Sequence, residues 1–253
     1  MPNIIWDVTR YENKFSFVPR YGEALLDLIT GGNGSFVVDI GCGDGMLTQQ
    51  ISDRGYRVLG IDDSDAMLKM AVKKHPDIAF HRGNAVDFHL REKADVLFSN
   101  AVFHWIDRSR QQTMLANLFS NLKPGGELVC EFGGYGCAEN IHGQLEKAFL
   151  KRGLTYDRVF YFPTIGEYAP MLEKAGFKVE VALLFDRPTP QKGEHGLVDW
   201  IRMFDKKPFE GINEKTEASI IQEAERSLQA KLFRDGNWFV DYVRIRIRAR
   251  KPL

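Results

Sequence analysis

The sequence predicts an α/β fold: a doubly wound, mostly parallel seven-stranded sheet with an antiparallel last strand and a helical insertion before it. Two observations carry this. Short apolar runs rich in β-branched residues alternate with helical patterns as far as Phe185, and the first run passes directly into closely spaced glycines and then a helix. The length of 253 residues suits one α/β domain with an insertion better than two independent domains.

Taken in order, Phe36–Ile40, Arg57–Ile61, Ala79–Arg82, Asp95–Ser99 and Glu127–Phe132 read as strands. Between and after them, Met46–Asp53, Ala66–Lys74, Arg110–Leu122 and Glu139–Arg152 carry apolar residues at three- and four-residue spacing, as helices covering a sheet do. Lys123-Pro124-Gly125-Gly126 reads as a turn, because proline stops a helix and glycine permits the reversal. Ile165–Ala175 is a helix capped by Gly176, and Lys178–Phe185 is a strand. The chain then changes character: Pro188, Pro190, Lys192 and Gly193 open a segment with helical patterns at Leu197–Phe204 and Glu214–Phe233, and Asp241–Lys251 alternates as the closing strand. The expected organisation is a single domain: a helical lid over 1–30, a core over 31–185, an insertion over 186–236 acting as a substrate cap, and the last core strand over 237–253.

Composition narrows the function. Hydrophobic residues at 44% and charged residues at 27% are ordinary for a soluble enzyme, and 34 basic residues balance 34 acidic ones, so no basic field draws in nucleic acid. No window is long and apolar enough for a membrane helix, and no basic-then-apolar leader opens the chain, which points to a cytoplasmic address. Cys42, Cys130 and Cys137 form an odd set without a C-x-x-C pair, as expected of small buried thiols. His75, His81, His89, His142 and His195 are scattered, and metal-free chemistry is expected.

The chemistry sits in Val37-Val38-Asp39-Ile40-Gly41-Cys42-Gly43-Asp44-Gly45. Glycines let a ligand approach the backbone closely, and the helix that follows presents unpaired N–H groups. The spacing is G-x-G-x-G with Met46 where a dinucleotide fingerprint needs its third glycine, which argues against a nicotinamide cofactor and its oxidoreductases. Asp39 offers a carboxylate to a cationic or amino-bearing ligand. The next strand, Val58-Leu59-Gly60-Ile61, ends at Asp62, where an α/β nucleotide site places its acceptor for ribose hydroxyls; Asp63 adds charge, while Ser64 and Asp65 read as a helix cap.

These residues resemble the class I S-adenosylmethionine-dependent methyltransferases, Rossmann-like enzymes, over most of the chain. Asp39 to Gly45 is similar to the family's first motif and Gly60-Ile61-Asp62-Asp63-Ser64 to its second. Arg82-Gly83-Asn84-Ala85 stands where the family has Gly-Asp-Ala, with an amide in place of the acid that faces the adenine amino group. Asp95 to Trp105, including Asn100-Ala101, resembles the fourth motif. His104-Trp105-Ile106, the stretch from Phe162-Pro163-Thr164 to Phe177, the Trp6–Phe17 opening and Asp241-Tyr242-Val243-Arg244 are similar to the trans-aconitate methyltransferase-like branch.

The resemblance implies S-adenosylmethionine as cofactor, held by Asp39, Gly41, Cys42, Gly43, Asp62, Asp63, Met67, Asn84, Ala85, Asn100 and Ala101. Methyl transfer is an in-line displacement that alignment and desolvation accelerate, so no catalytic residue is obligatory; His104 is the one base nominated. Tyr11, Phe17, Arg20, Trp105 and Arg244 are the candidate acceptor contacts, although Tyr11, Phe15 and Phe17 equally fit the apolar face of an N-terminal helix. Arg244, Arg246, Arg248 and Arg250 alternate with Ile245, Ile247 and Ala249, and the expectation is a solvated basic strand face; the alternative brings Arg244 to the pocket as a clamp for a substrate carboxylate. The expected function is methylation of a small molecule, with a small carboxylic acid as the proposed acceptor and a catalytically silent S-adenosylmethionine-binding protein as the alternative. Oligomeric state does not follow from the sequence.

Overall fold

The computed structural model describes Gly22 and residues 24–253. Most of the expected lid, with Tyr11, Phe15, Phe17 and Arg20, therefore lies outside the described residues. The core opens with β1 (Phe36–Ile40), α1 (Met46–Asp53), β2 (Arg57–Asp62), α2 (Asp65–Lys74), β3 (Ala79–Arg82) and β4 (Ala94–Asn100). A 3₁₀ turn at Phe103–Trp105 leads to α3 (Arg108–Asn121), β5 (Leu122–Gly133), α4 (Glu139–Leu150), α5 (Ile165–Lys174) and β6 (Lys178–Gln191). The chain closes with α6 (Gly196–Phe204), α7 (Glu214–Leu232), β7 (Phe233–Arg234) and β8 (Asn237–Arg250).

The sheet runs β3-β2-β1-β4-β5-β8-β6. β1 to β5 pair in parallel, and β8 is antiparallel to both β5 and β6. The expected seven-stranded Rossmann-like sheet is thus present, with a two-residue β7 added as a hairpin on β8. β1 lies inside the sheet and is buried on both faces, which is why its sequence is a continuous apolar run interrupted only by Asp39. One face packs Val38, Ile40, Leu97 and Leu128 against Leu115 and Leu118 of α3 and Leu172 of α5. The other packs Val37, Val96, Phe98 and Val129 against Leu47 and Ile51 of α1.

The strand order reverses between β1 and β4, and both strands end at the same edge, so the loops after Ile40 and Asn100 frame a crevice at the carboxyl ends of the strands. Beside it, α6 and α7 pack on α4: Ile141, Leu145 and Phe149 share a core with Trp200, Ile201, Ile220 and Leu228. A buried polar chain ties this layer together. Tyr156 Oη donates to Asp205 and accepts from His142 Nδ1 at 2.6 Å.

Three expectations change. β6 runs on to Gln191, so Pro188 and Pro190 belong to a strand, opposite Asp241 and Phe239. β6 is the edge of the sheet, where a proline's missing N–H leaves no ladder bond broken. Lys123–Gly126 is no separate turn: β5 begins at Leu122, and the chain absorbs Gly125, at φ 76°, through a register shift between Ala94 and Val96. The arginines of β8 are not a solvated face. Arg246 pairs with Glu131, Arg248 with Glu180, and Arg250 with Glu127 and Glu180, on carboxylates supplied by the flanking strands β5 and β6.

Candidate active site

Among the described residues a cleft follows the carboxyl edge of the sheet. Among the expected contacts, Gly41, Gly43, Asp62, Asp63, Met67, Asn84, Ala85, Asn100 and Ala101 line one end of it, and His104, Trp105 and Arg244 line the other. Asp39 and Cys42 do not line it. Asp39 is buried beneath the loop, where it accepts a hydrogen bond from Thr48 Oγ1 at 2.7 Å, and burial pushes its carboxyl up to about 7. Cys42 is buried behind the loop, and desolvation raises its thiol far above the usual range, which leaves no thiolate for nucleophilic chemistry.

The glycine loop is shaped by backbone demands that side chains cannot meet. Gly41 has φ 72°, and a Cβ there would stand 2.2 Å from Val102 Cγ2. Its N–H and that of Cys42 both donate to the carbonyl of Ile61, at 2.7 and 3.0 Å, which pins the loop to the end of β2. Asp62 completes the cradle: Oδ2 accepts from Gly43 N and Oδ1 from Ser64 N, each at 2.9 Å. Each carboxylate oxygen keeps a second lone pair for a ligand hydroxyl. Burial raises the Asp62 pKa, against the lowering effect of those two N–H groups. Ser64 caps α2 by accepting from Met67 N at 3.3 Å. Asn84 is oriented from both sides, donating to Asp63 Oδ2 at 3.1 Å and accepting from Val86 N at 3.0 Å.

At the far end, Ala101 sits at φ 62°, held by its N–H bond to the carbonyl of Glu131 at 2.7 Å. This turns the chain out of β4 into the 3₁₀ turn that carries His104, a turn clamped by Gln111 Nε2 donating to the carbonyls of Phe103 and Ile106. His104 Nδ1 accepts from Gly133 N at 3.1 Å, so Nε2 carries the proton of the neutral ring. Burial and the neighbouring Arg244 charge hold its pKa well below the usual value. His104 therefore offers the cleft a hydrogen-bond donor rather than the base that its sequence position indicated.

Arg244 ends the basic series of β8 at Gly133 and Phe185, on the carboxyl edge of β5. Its guanidinium stands 4.2 Å over the Tyr242 ring, and among the described residues it has no carboxylate partner. Sequence reasoning missed the remaining wall of this end: Phe160, Phe162, Trp200, Phe204 and Tyr242. Trp200 and Phe204 carried one signal, the strong apolar stripe of α6; Phe162 and Tyr242 fall in stretches that carry the family resemblance without being singled out, and Phe160 lies in a stretch without regular structure.

Comparison with known proteins identifies the fold's chemistry. Residues 37–126 match a family described as a methyltransferase domain. The chain is 29% identical to an uncharacterized methyltransferase of Schizosaccharomyces pombe over 99% of its own length and 100% of the relative's. It is 28% identical to trans-aconitate 2-methyltransferase of Variovorax paradoxus, covering 96% and 95% of the two chains. Among solved structures it superposes with a TM-score of 0.60, at 19% identity, on a Haemonchus contortus phosphoethanolamine N-methyltransferase in complex with S-adenosylhomocysteine and phosphomonomethylethanolamine, over 97% of this chain and 57% of that one. The chain thus carries a methyltransferase domain over residues 37–126 and is similar along nearly its whole length to trans-aconitate 2-methyltransferase.

A second structure of that phosphoethanolamine N-methyltransferase holds S-adenosyl-L-methionine, the cofactor that the sequence motifs of this chain imply. The residues present fit it. Gly43 faces the cleft with open space where a Cβ would project, and Asp62 stands beside it with acceptor capacity to spare. Within the described residues the methyltransferase has no cluster of metal-ligating side chains and no helix long and apolar enough to cross a membrane.

Proposed function

We propose that the methyltransferase acts on a small molecule and methylates a carboxylate oxygen. The observation that carries this reading is Arg244: a guanidinium at the inner end of the cleft with no carboxylate partner among the described residues, next to the buried, neutral His104. A planar guanidinium matches a carboxylate through paired hydrogen bonds, and the protonated Nε2 of His104 supplies a further donor. Gly41, Gly43, Asp62, Asp63, Met67, Asn84, Ala85, Asn100 and Ala101 hold the cofactor in this reading, with Asp62 accepting from the ribose hydroxyls.

When bound, S-adenosylmethionine supplies an electrophilic methyl group on its sulfonium. A carboxylate oxygen is already nucleophilic at neutral pH: its lone pair forms the O–CH₃ bond, the S–CH₃ electron pair stays on sulfur, and no proton moves. The chain's task is to orient the acid and exclude water, which suits a site where His104 is a donor.

Two substitutions test the two ends of the cleft separately. Asp62→Ala is expected to weaken S-adenosylmethionine binding about 10- to 150-fold, as loss of a charged hydrogen bond worth roughly 1.5–3 kcal/mol does. Calorimetric titration measures it, and an unchanged dissociation constant in a folded variant would make Asp62 a purely structural tie of the glycine loop. Arg244→Ala is expected to leave cofactor affinity unchanged while raising KM for the acid on the order of 10- to 150-fold. A screen of carboxylic acids, phenols, amines and thiols with labelled cofactor decides the acceptor, base-labile esters being the expected product. Turnover of phenols or amines alone, or cofactor binding without any product, rejects the carboxylate reading.

A further inference from the structure

The inner half of the cleft is walled by aromatic rings to an extent that a simple acid clamp does not need. Trp105 lies 4.7 Å from Phe160 and 6.4 Å from Phe204, and Trp200 lies 5.9 Å from Phe204. Phe160 and Phe162 stack on each other at 5.2 Å with an interplanar angle of 8°. Gly133 is what admits this stack: a Cβ there would meet Phe162 Cε1 at 2.4 Å. The polar atoms of the wall are turned to one another, Trp200 Nε1 donating to Tyr242 Oη at 2.6 Å.

Among the described residues charge in this half is scarce: Arg244 comes from the same strand whose other arginines are committed to Glu131, Glu180 and Glu127. The other arginine of the lining, Arg110, lies in the first turn of α3, next to the acidic cap residue Asp107, which also lines the cleft. A polycarboxylate held on Arg244 would press its remaining charges against ring faces, which are themselves negative, and lose their hydration without a partner. An aromatic ring in the same space gains burial and offset or edge-on ring contacts.

Resting on the carboxylate reading above, we propose that the preferred acceptor is an aromatic monocarboxylate, its carboxylate on Arg244 and His104 and its ring among Trp105, Phe160, Phe162 and Phe204. The balance is that of the ester formation already described: one O–CH₃ bond forms, one S–CH₃ bond breaks, and the acid needs no further reactant.

The test uses the full-length protein and two readouts. Cinnamate, benzoate, hexanoate and trans-aconitate are titrated calorimetrically in the presence of S-adenosylhomocysteine, and the same acids, with a phenol and an amine, are assayed with labelled S-adenosylmethionine. Cinnamate or benzoate is expected to bind and turn over at least about 10-fold better than trans-aconitate. Trp105→Ala is expected to erase most of that preference by raising the aromatic acid's dissociation constant about 10-fold and leaving that of trans-aconitate in place, with Trp105→Phe retaining it. Equal or better binding of trans-aconitate overturns the aromatic assignment while the carboxylate reading stands. Turnover confined to the phenol or the amine overturns the carboxylate reading itself, and aromatic acids that neither bind nor react overturn the proposal whatever the variants do.

Discussion

Replacing Glu131 by alanine is expected to destabilise the protein by about 3–5 kcal/mol, the loss typical of removing one partner from a buried ion pair. The Glu131 side chain is 1% exposed and serves two guanidiniums that are each 14% exposed. Arg187 grips it through both terminal nitrogens, and Arg246 reaches Oε2 through Nε at 2.7 Å and Nη2 at 2.6 Å. Both guanidiniums also stand over the Phe185 ring, at 5.1 and 5.3 Å, so they occupy a common half-dry space. Without the carboxylate, two like charges remain together at low exposure. Glu131→Gln keeps the shape and one acceptor and is expected to lose less. Urea unfolding at neutral pH measures both variants, and a loss below about 1 kcal/mol for the alanine variant would place the cluster among weak surface pairs.

That cluster also marks the limit of what the sequence makes legible. The strands and the glycine loop are local: their apolar runs, their period and the turn demanded of Gly41 are all written within ten residues of one another, and the elements fall where those patterns place them. Pairing is not local. Arg246 and Glu131 are 115 residues apart, so a string of alternating arginines gives no sign that strands on either side carry matching carboxylates. Pro188 and Pro190 signal the end of a strand unless the strand is known to be an edge, which only the sheet order discloses. The same holds in the cleft. Asp62 and Asn84 follow strand ends and can be placed by counting, whereas Phe160 and Phe162 reach His104 and Trp105 only because the chain after α4 returns across the carboxyl edge, with Tyr161 N bonded to the His104 carbonyl at 3.0 Å. Asp39 lies near the end of its strand beside the loop, as an acid that the sequence offers to a ligand, but its carboxylate is turned to Thr48, one helix later.

Asp39 also carries a pH dependence of stability. Burial raises its carboxyl from 3.8 to about 7, the Thr48 hydrogen bond opposing the shift and the Asp62 charge reinforcing it. Below pH 3.8 both folded and unfolded chains hold this proton. Between 3.8 and about 7 the unfolded chain has released it and the folded protein still binds it, so this group's contribution to stability falls as the pH rises through that window. Above about 7 both states are ionised and the loss is complete. At about 1.4 kcal/mol per pH unit the full effect is about 4 kcal/mol. Other carboxylates contribute with the opposite sign, Asp95 among them: burial raises its pKa, but the Phe36 N–H and Lys123 together outweigh that and hold it below the usual value. The measurement is therefore a difference. Asp39→Asn retains an acceptor for Thr48 Oγ1 and cannot titrate, while its buried amide N–H groups impose a cost that does not vary with pH. Unfolding free energies of the two proteins, compared at intervals from pH 4 to pH 8, are expected to shift in favour of the asparagine variant by up to about 4 kcal/mol as the pH rises, with the change concentrated below pH 7. A difference that stays flat across this range would mean that the Asp39 carboxylate is solvated through the glycine loop and ionised throughout, which would place it within reach of the cofactor after all.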